Sequence, residues 1–148
     1  MGQILVANTN GRYRISKRET LATVRSVLRK EESGYRWVNV IFVDDPKSRR
    51  LNRTHLAHDY PTDVLAFRLD NGDRLEGELY VNLDRASIQA REYDVTFKNE
   101  VARLVIHGLL HLIGYRDNTS QSRMRMKKKE EGYLEKILKR MTHAGKNN

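Results

Sequence analysis

The chain has 148 residues, no cysteine and a formal net charge of +9 at pH 7. That length suits one domain with a substantial core, and the missing thiols exclude disulfides and thiolate metal sites, in keeping with a reducing cytosol. No apolar run approaches the roughly 20 residues of a membrane span, and the N-terminus lacks the charged start and longer apolar core of a signal peptide, so a soluble intracellular protein is expected.

In chain order, Gln3 to Ala7 reads as a short strand. Ser16 caps a helix, with Glu19 at the capping-box position and Leu21, Val24, Val27 and Leu28 at helical spacing. Trp37 to Val43 is the clearest strand, and Asp44-Asp45-Pro46 opens a helix to about Leu56. Val64 to Phe67 is a strand, Asn71-Gly72 a turn, and Gly77 to Leu83 its partner. Asp84 caps a helix to about Tyr93, Thr96 caps the next one, and a last helix runs from Ser120 to Met141. The expected architecture is α+β: a small mixed sheet of about four strands covered by helices, in one hydrolase-like domain over 1–141, with a disordered polar tail over 142–148.

The helix opened by Thr96 carries the most informative residues. It is apolar almost all round, as a buried helix is, except for Glu100, Arg103, His107 and His111. Their spacings of three, four and four put them in a single polar stripe, which needs a cavity, partners or a metal. His107 and His111 lie one turn apart and are able to share a cation. Gly114 supplies a break that lets the chain turn back and present Asp117 to the same ion. Two imidazoles and a carboxylate leave a tetrahedral zinc with one open position, the arrangement of a hydrolytic site on a central buried helix.

Charge is unevenly placed. Residues 1–50 hold 11 Lys+Arg against 5 acids, 51–118 hold 8 against 11, and 119–148 hold 9 against 3. Basic flanks around an acidic, metal-ready centre suit a polyanion such as RNA, although a basic helix over 123–140 also serves solubility alone. In the middle segment, Pro61, Thr62 and Asp63 stand immediately before an apolar strand, where polar residues often face a cleft and also often form turns. His55 and His58, three residues apart, read as surface histidines.

These segments together resemble the YbeY family of single-strand-specific endoribonucleases that act in ribosomal RNA maturation. The resemblance covers most of 36–135 and rests on Asn52, on the run from Pro61 to Phe67, on the Leu75 to Glu78 turn and on the histidine segment. The family signature His-Gly-x-Leu-His-Leu-x-Gly-Tyr-Asp-His is matched at His107, Gly108, Leu110, His111, Leu112, Gly114 and Tyr115. It implies one zinc ion at the three signature positions, cleavage of single-stranded RNA, a part in maturing the 3′ end of small-subunit (16S) ribosomal RNA and in ribosome quality control, and a cytoplasmic setting with the small ribosomal subunit as partner.

Two positions depart from the pattern. Asp117 stands where the family has a third histidine, and Leu56 where it has an arginine taken to be functional; Arg53, Arg68 or Arg103 is the expected substitute for that phosphate clamp. The His-x-x-x-His-x-x-Gly-x-x-Asp spacing also resembles metzincin proteases, but their general base follows the first histidine, and here that place is Gly108. Without it, peptide hydrolysis loses a factor of roughly 10²–10⁴. Asp63 and Glu100 are then the candidate bases and Arg103 the candidate phosphate contact. A non-catalytic ribosome-assembly factor with a structural metal is the alternative reading. Met126 resembles a family methionine beneath the site, and ordinary helix packing explains it equally well.

Overall fold

The computed structural model describes residues 2–146, and side chains as far as Thr142, and within them shows four strands and five helices. Strand β1 (Gln3–Asn8) leads through α1 (Lys17–Lys30) to β2 (Tyr35–Val43), and α2 (Asp45–Leu56) leads to β3 (Val64–Arg68) and β4 (Leu75–Asn82). Helices α3 (Leu83–Glu92), α4 (Phe97–Ile113) and α5 (Ser120–Lys146) follow. The sheet order is β1-β2-β4-β3, with β1, β2 and β4 parallel and β3 antiparallel to β4, so the sheet is mixed as the pattern predicts.

The alternation in β2 and β4 explains their central place. Val38, Val40 and Phe42 on one strand, and Leu75, Leu79 and Val81 on the other, are buried with at most 1% exposure. Each such side chain contributes about 1.5–3 kcal/mol by leaving water, which favours the register in which all six share one side. Helix α4 packs against α1, α3, α5, β3 and β4, and so lies at the centre of the molecule. Its closeness to the sheet depends on absent side chains. A Cβ at Gly108 would stand 2.1 Å from Leu79 Cδ1, and one at Gly77 would stand 3.0 Å from Leu112 Cδ2.

Helix starts follow the expected chemistry at Ser16, Asp44 and Thr96, whose side chains accept hydrogen bonds from the backbone N–H of Glu19, Lys47 and Asn99. Two expectations are corrected. Asn82, not Asp84, caps α3: its Oδ1 accepts from the N–H groups of Asp84 (3.0 Å) and Arg85 (3.3 Å). Because β4 runs into α3 without a loop, Asp84 already lies inside the helix, and its carboxylate accepts from Asn10 Nδ2 and Asp45 N–H instead. The polar tail expected from Thr142 is helical as far as Lys146, because α5 continues without a break; the rest of that stretch lies outside the described residues.

Candidate metal centre

Helix α4 ends by a mechanism that places Asp117. Gly114, at φ +120°, lets its own N–H reach the carbonyl of His111 (3.1 Å) and the N–H of Tyr115 reach that of Leu110 (2.9 Å). These two bonds make a Schellman ending, which satisfies the last carbonyls and turns the chain back across the helix. A Cβ at Gly114 would meet nothing within 4 Å, so the backbone conformation, not crowding, requires glycine there.

The returning chain brings Asp117 to the histidines. One ligand atom each from His107, His111 and Asp117 fall within 4.8 Å of one another, a group able to hold a metal ion. His111 Nε2 stands 3.2 Å from His107 Nε2 and 3.4 Å from Asp117 Oδ2. His107 Nδ1 is engaged by Glu130 Oε1 at 2.7 Å. A carboxylate there fixes the proton on Nδ1 and leaves the Nε2 lone pair for a cation, which is the outer support that ligating histidines ordinarily have. Burial, and then the neighbouring His107, hold His111 below the usual histidine value, so it is neutral near pH 7 and competent as a ligand. The donor set therefore fits a borderline metal ion such as zinc.

The rest of the polar stripe is satisfied by protein. Glu100, only 1% exposed, accepts from Arg103 Nε (2.8 Å) and Nη2 (2.6 Å) and from Gln89 Nε2 (2.6 Å), so both its oxygens are engaged. Arg103 also reaches Glu130 Oε2 at 3.4 Å, which links Glu100, Arg103, Glu130 and His107 into one chain of contacts. Its hydrogen bonds to Glu100 raise the guanidinium pKa above the ordinary arginine value. Spacing within α4 does not disclose Glu130, which comes from α5. It does stand out in α5, being the carboxylate in a buried stripe of Met126, Glu130, Tyr133 and Ile137. Met126 is 2% exposed and lines, with His107, Asp117, Arg123 and Lys127, a depression of about 260 Å³ beside the centre.

Asp63 lies immediately before β3 and outside the three-residue metal group. Its loop is clamped on both sides. Ser48 Oγ exchanges hydrogen bonds with the carbonyl and N–H of Thr62, Asn82 Nδ2 donates to the same carbonyl, and the N–H of Asn82 donates to the carbonyl of Asp63. The next residue, Val64, has Cγ2 3.0 Å from where a Gly108 Cβ would be, so the start of β3 lies beside the His107 turn of α4. Of the arginines expected to substitute at Leu56, Arg68 is held by Asp70 (2.8 Å) and the Leu112 carbonyl (3.3 Å), and Arg103 by Glu100. Arg53 is exposed, with Asp59 at 3.8 Å. His55 and His58 are exposed as expected, with their rings tilted against those of Phe67 and Tyr60.

A mixed α+β fold with a His/His/Asp group at the end of a buried helix defines a class of metal-site hydrolase scaffolds. The model of the family described as Endoribonuclease YbeY matches residues 5–138. A protein named Endoribonuclease YbeY from Chloroherpeton thalassium is 40% identical over 111 residues, covering 75% of this chain and 79% of that protein. Its counterpart in Chlorobium luteolum is 33% identical over 137 residues, covering 93% and 99%. The solution structure of TM1509 from Thermotoga maritima superposes with a TM-score of 0.67 at 30% identity, covering 98% of this chain and 95% of that one. The chain belongs to the YbeY family, a family of endoribonucleases, hydrolases acting on RNA.

Proposed function

We propose that this protein is a zinc-dependent, single-strand-specific endoribonuclease that trims the 3′ end of 16S ribosomal RNA and takes part in ribosome quality control, on the small subunit in the cytoplasm. The observation that carries the reading is the convergence of His107, His111 and Asp117 within 4.8 Å, at the signature positions of an endoribonuclease family. When bound there, zinc supplies Lewis-acid polarisation of a phosphoryl oxygen and a lowered pKa for bound water.

The chain's own residues do the rest. Glu130 holds the His107 tautomer, and Arg103, pinned by Glu100, holds Glu130. Arg123 and Lys127, on the rim of the depression, bring positive charge to a bound phosphate. Asp63 is the proposed general base: both oxygens of Glu100 are already engaged by Arg103 and Gln89, whereas Asp63 stands on a rigid loop beside the His107 turn. Glu100 and Arg103 are positioning residues in this scheme. A glutamate at position 108, the base of a peptidase, does not fit against Leu79.

The test is metal content by elemental analysis, alongside cleavage of a single-stranded RNA, for wild type, Asp117→Ala and Asp117→His. Near-stoichiometric zinc and cleavage are expected in wild type and Asp117→His, with both lost in Asp117→Ala. Full metal occupancy without cleavage in wild type would favour an assembly factor with a structural metal.

A further inference from the structure

A second cationic feature lies apart from the metal group, between the C-terminal end of α1 and the middle of α5. It is a groove of about 530 Å³ bordered by Lys30, Arg125, Lys128 and Lys136, with Gly132 among its lining residues. Arg125, Lys128, Gly132 and Lys136 follow one another at spacings of three, four and four, which sets them on one face of α5. Lys129 also borders the groove but is engaged by Glu31 at 3.2 Å. Among the described residues, no carboxylate oxygen lies within 4.0 Å of a charged nitrogen of Lys30, Arg125, Lys128 or Lys136.

Solubility does not explain this arrangement. Surface cations that only solvate a helix are interspersed with carboxylates, whereas here like charges from two helices face each other. The neighbouring Lys136 ammonium holds the Lys30 pKa below the ordinary lysine value. A concave cluster of unpaired cations concentrates positive potential and suits a polyanion that carries one negative charge per unit. Gly132 is unfavourable in the middle of a helix, and a Cβ there would meet nothing within 4 Å, so no packing demand explains it. What its bare backbone does is leave the groove open.

The groove also adjoins the turn that carries Asp117. Arg125 lines both it and a neighbouring depression of about 540 Å³ that includes Gly114, Tyr115, Arg116 and Asn118, the turn that carries Asp117. From Arg125 to Lys136 the helix rises about 16 Å, which gives an extended track. We propose that this groove binds the sugar–phosphate backbone of the RNA strand that leaves the metal centre over the turn 114–118, as a second, sequence-independent contact. The inference rests on the RNA-cleaving reading above.

The experiment measures binding of 2′-O-methyl single-stranded RNAs of about 4 and about 12 nucleotides, chosen within the roughly 4–16 spanned by single-strand grooves, by fluorescence anisotropy over a salt series. It compares wild type, the triple variant Lys30→Gln/Lys128→Gln/Lys136→Gln and Gly132→Leu. Glutamine keeps the helix propensity of lysine, and circular dichroism verifies folding. The triple variant is expected to lose at least tenfold in affinity for the longer RNA but not the shorter, with the slope of log K against log salt smaller by about 2, near 0.7 per phosphate contact. Gly132→Leu is expected to lose affinity for the longer RNA without a change of slope, because it fills the groove and removes no charge. Equal losses for both RNA lengths, or a loss of affinity for the longer RNA in the triple variant that Gly132→Leu does not share, would show a diffuse field and overturn the groove. Unchanged binding would overturn it too, while cleavage by wild type would leave the nuclease reading standing. A wild type that neither binds nor cleaves RNA would overturn both.

Discussion

Glu130 closes one side of the centre from a helix that supplies no metal ligand. Its two oxygens do different things: Oε1 accepts a hydrogen bond from His107 Nδ1–H, and Oε2 meets Arg103. The carboxylate therefore orients an imidazole and raises its basicity while its own charge is balanced by a guanidinium fixed to Glu100. Glu130→Ala is expected to weaken metal affinity by about 10–100-fold, the usual cost of losing such a partner. Glu130→Gln is expected to lose less, since the amide oxygen still accepts from Nδ1. Competition with a chromophoric chelator measures both, and equal affinities across the three proteins would remove Glu130 from the centre.

At the scale of elements, α4 and α5 respond to the same substitution in opposite directions. Gly108→Ala puts a methyl against Leu79 and Val64 at a close helix–sheet approach, which costs about 1–3 kcal/mol as overpacking. Gly114→Ala has room for its methyl but not for its conformation, and costs about 1–2 kcal/mol. Gly132→Ala, inside α5 and facing open space, is expected to stabilise by up to about 1 kcal/mol. Urea denaturation of the three variants checks the signs, and a stabilised Gly108→Ala would contradict the seating of α4 on β4. The same contrast explains what was legible beforehand. The extent of α4, its cap at Thr96 and its break at Gly114 follow from local pattern, and so does the convergence of His107, His111 and Asp117. Local pattern does not disclose that Glu100 and Arg103 satisfy each other, that Glu130 reaches His107 from another helix, or that Gly108 is small because of Leu79. Those facts depend on how elements pack, and the misplaced cap of α3 has the same origin, since β4 ends at Asn82, one residue before the strand pattern ends it, and the cap moves with it.

The whole molecule is tied together near the centre by Glu31, at the end of α1. Its side chain, 8% exposed, accepts from Tyr115 Oη (2.7 Å) in the ligand-bearing turn, and from Lys129 (3.2 Å) and the Tyr133 hydroxyl in α5. One carboxylate thus joins three segments whose mutual placement presents Asp117. Burial pushes the carboxyl pKa upward, but the hydrogen bonds from Tyr133, Tyr115 and Lys129 outweigh it and hold the group below the ordinary glutamate value. A folded pKa lower than the unfolded one, near 4.3 for glutamate, means that the ionised form binds the folded state better. Its stabilisation is complete above the unfolded pKa and is lost as pH falls through the folded one. Glu31→Gln should therefore be less stable than wild type at pH 7, by about 1–3 kcal/mol for hydrogen bonds to a charged group, and the gap should close as the pH falls below about 4. Urea unfolding of both proteins between pH 7 and pH 3 measures it. A gap that stays constant with pH would mean that the charge on Glu31 does not hold α1, the turn and α5 together; a gap that closes would make this carboxylate the acid-sensitive joint of the molecule.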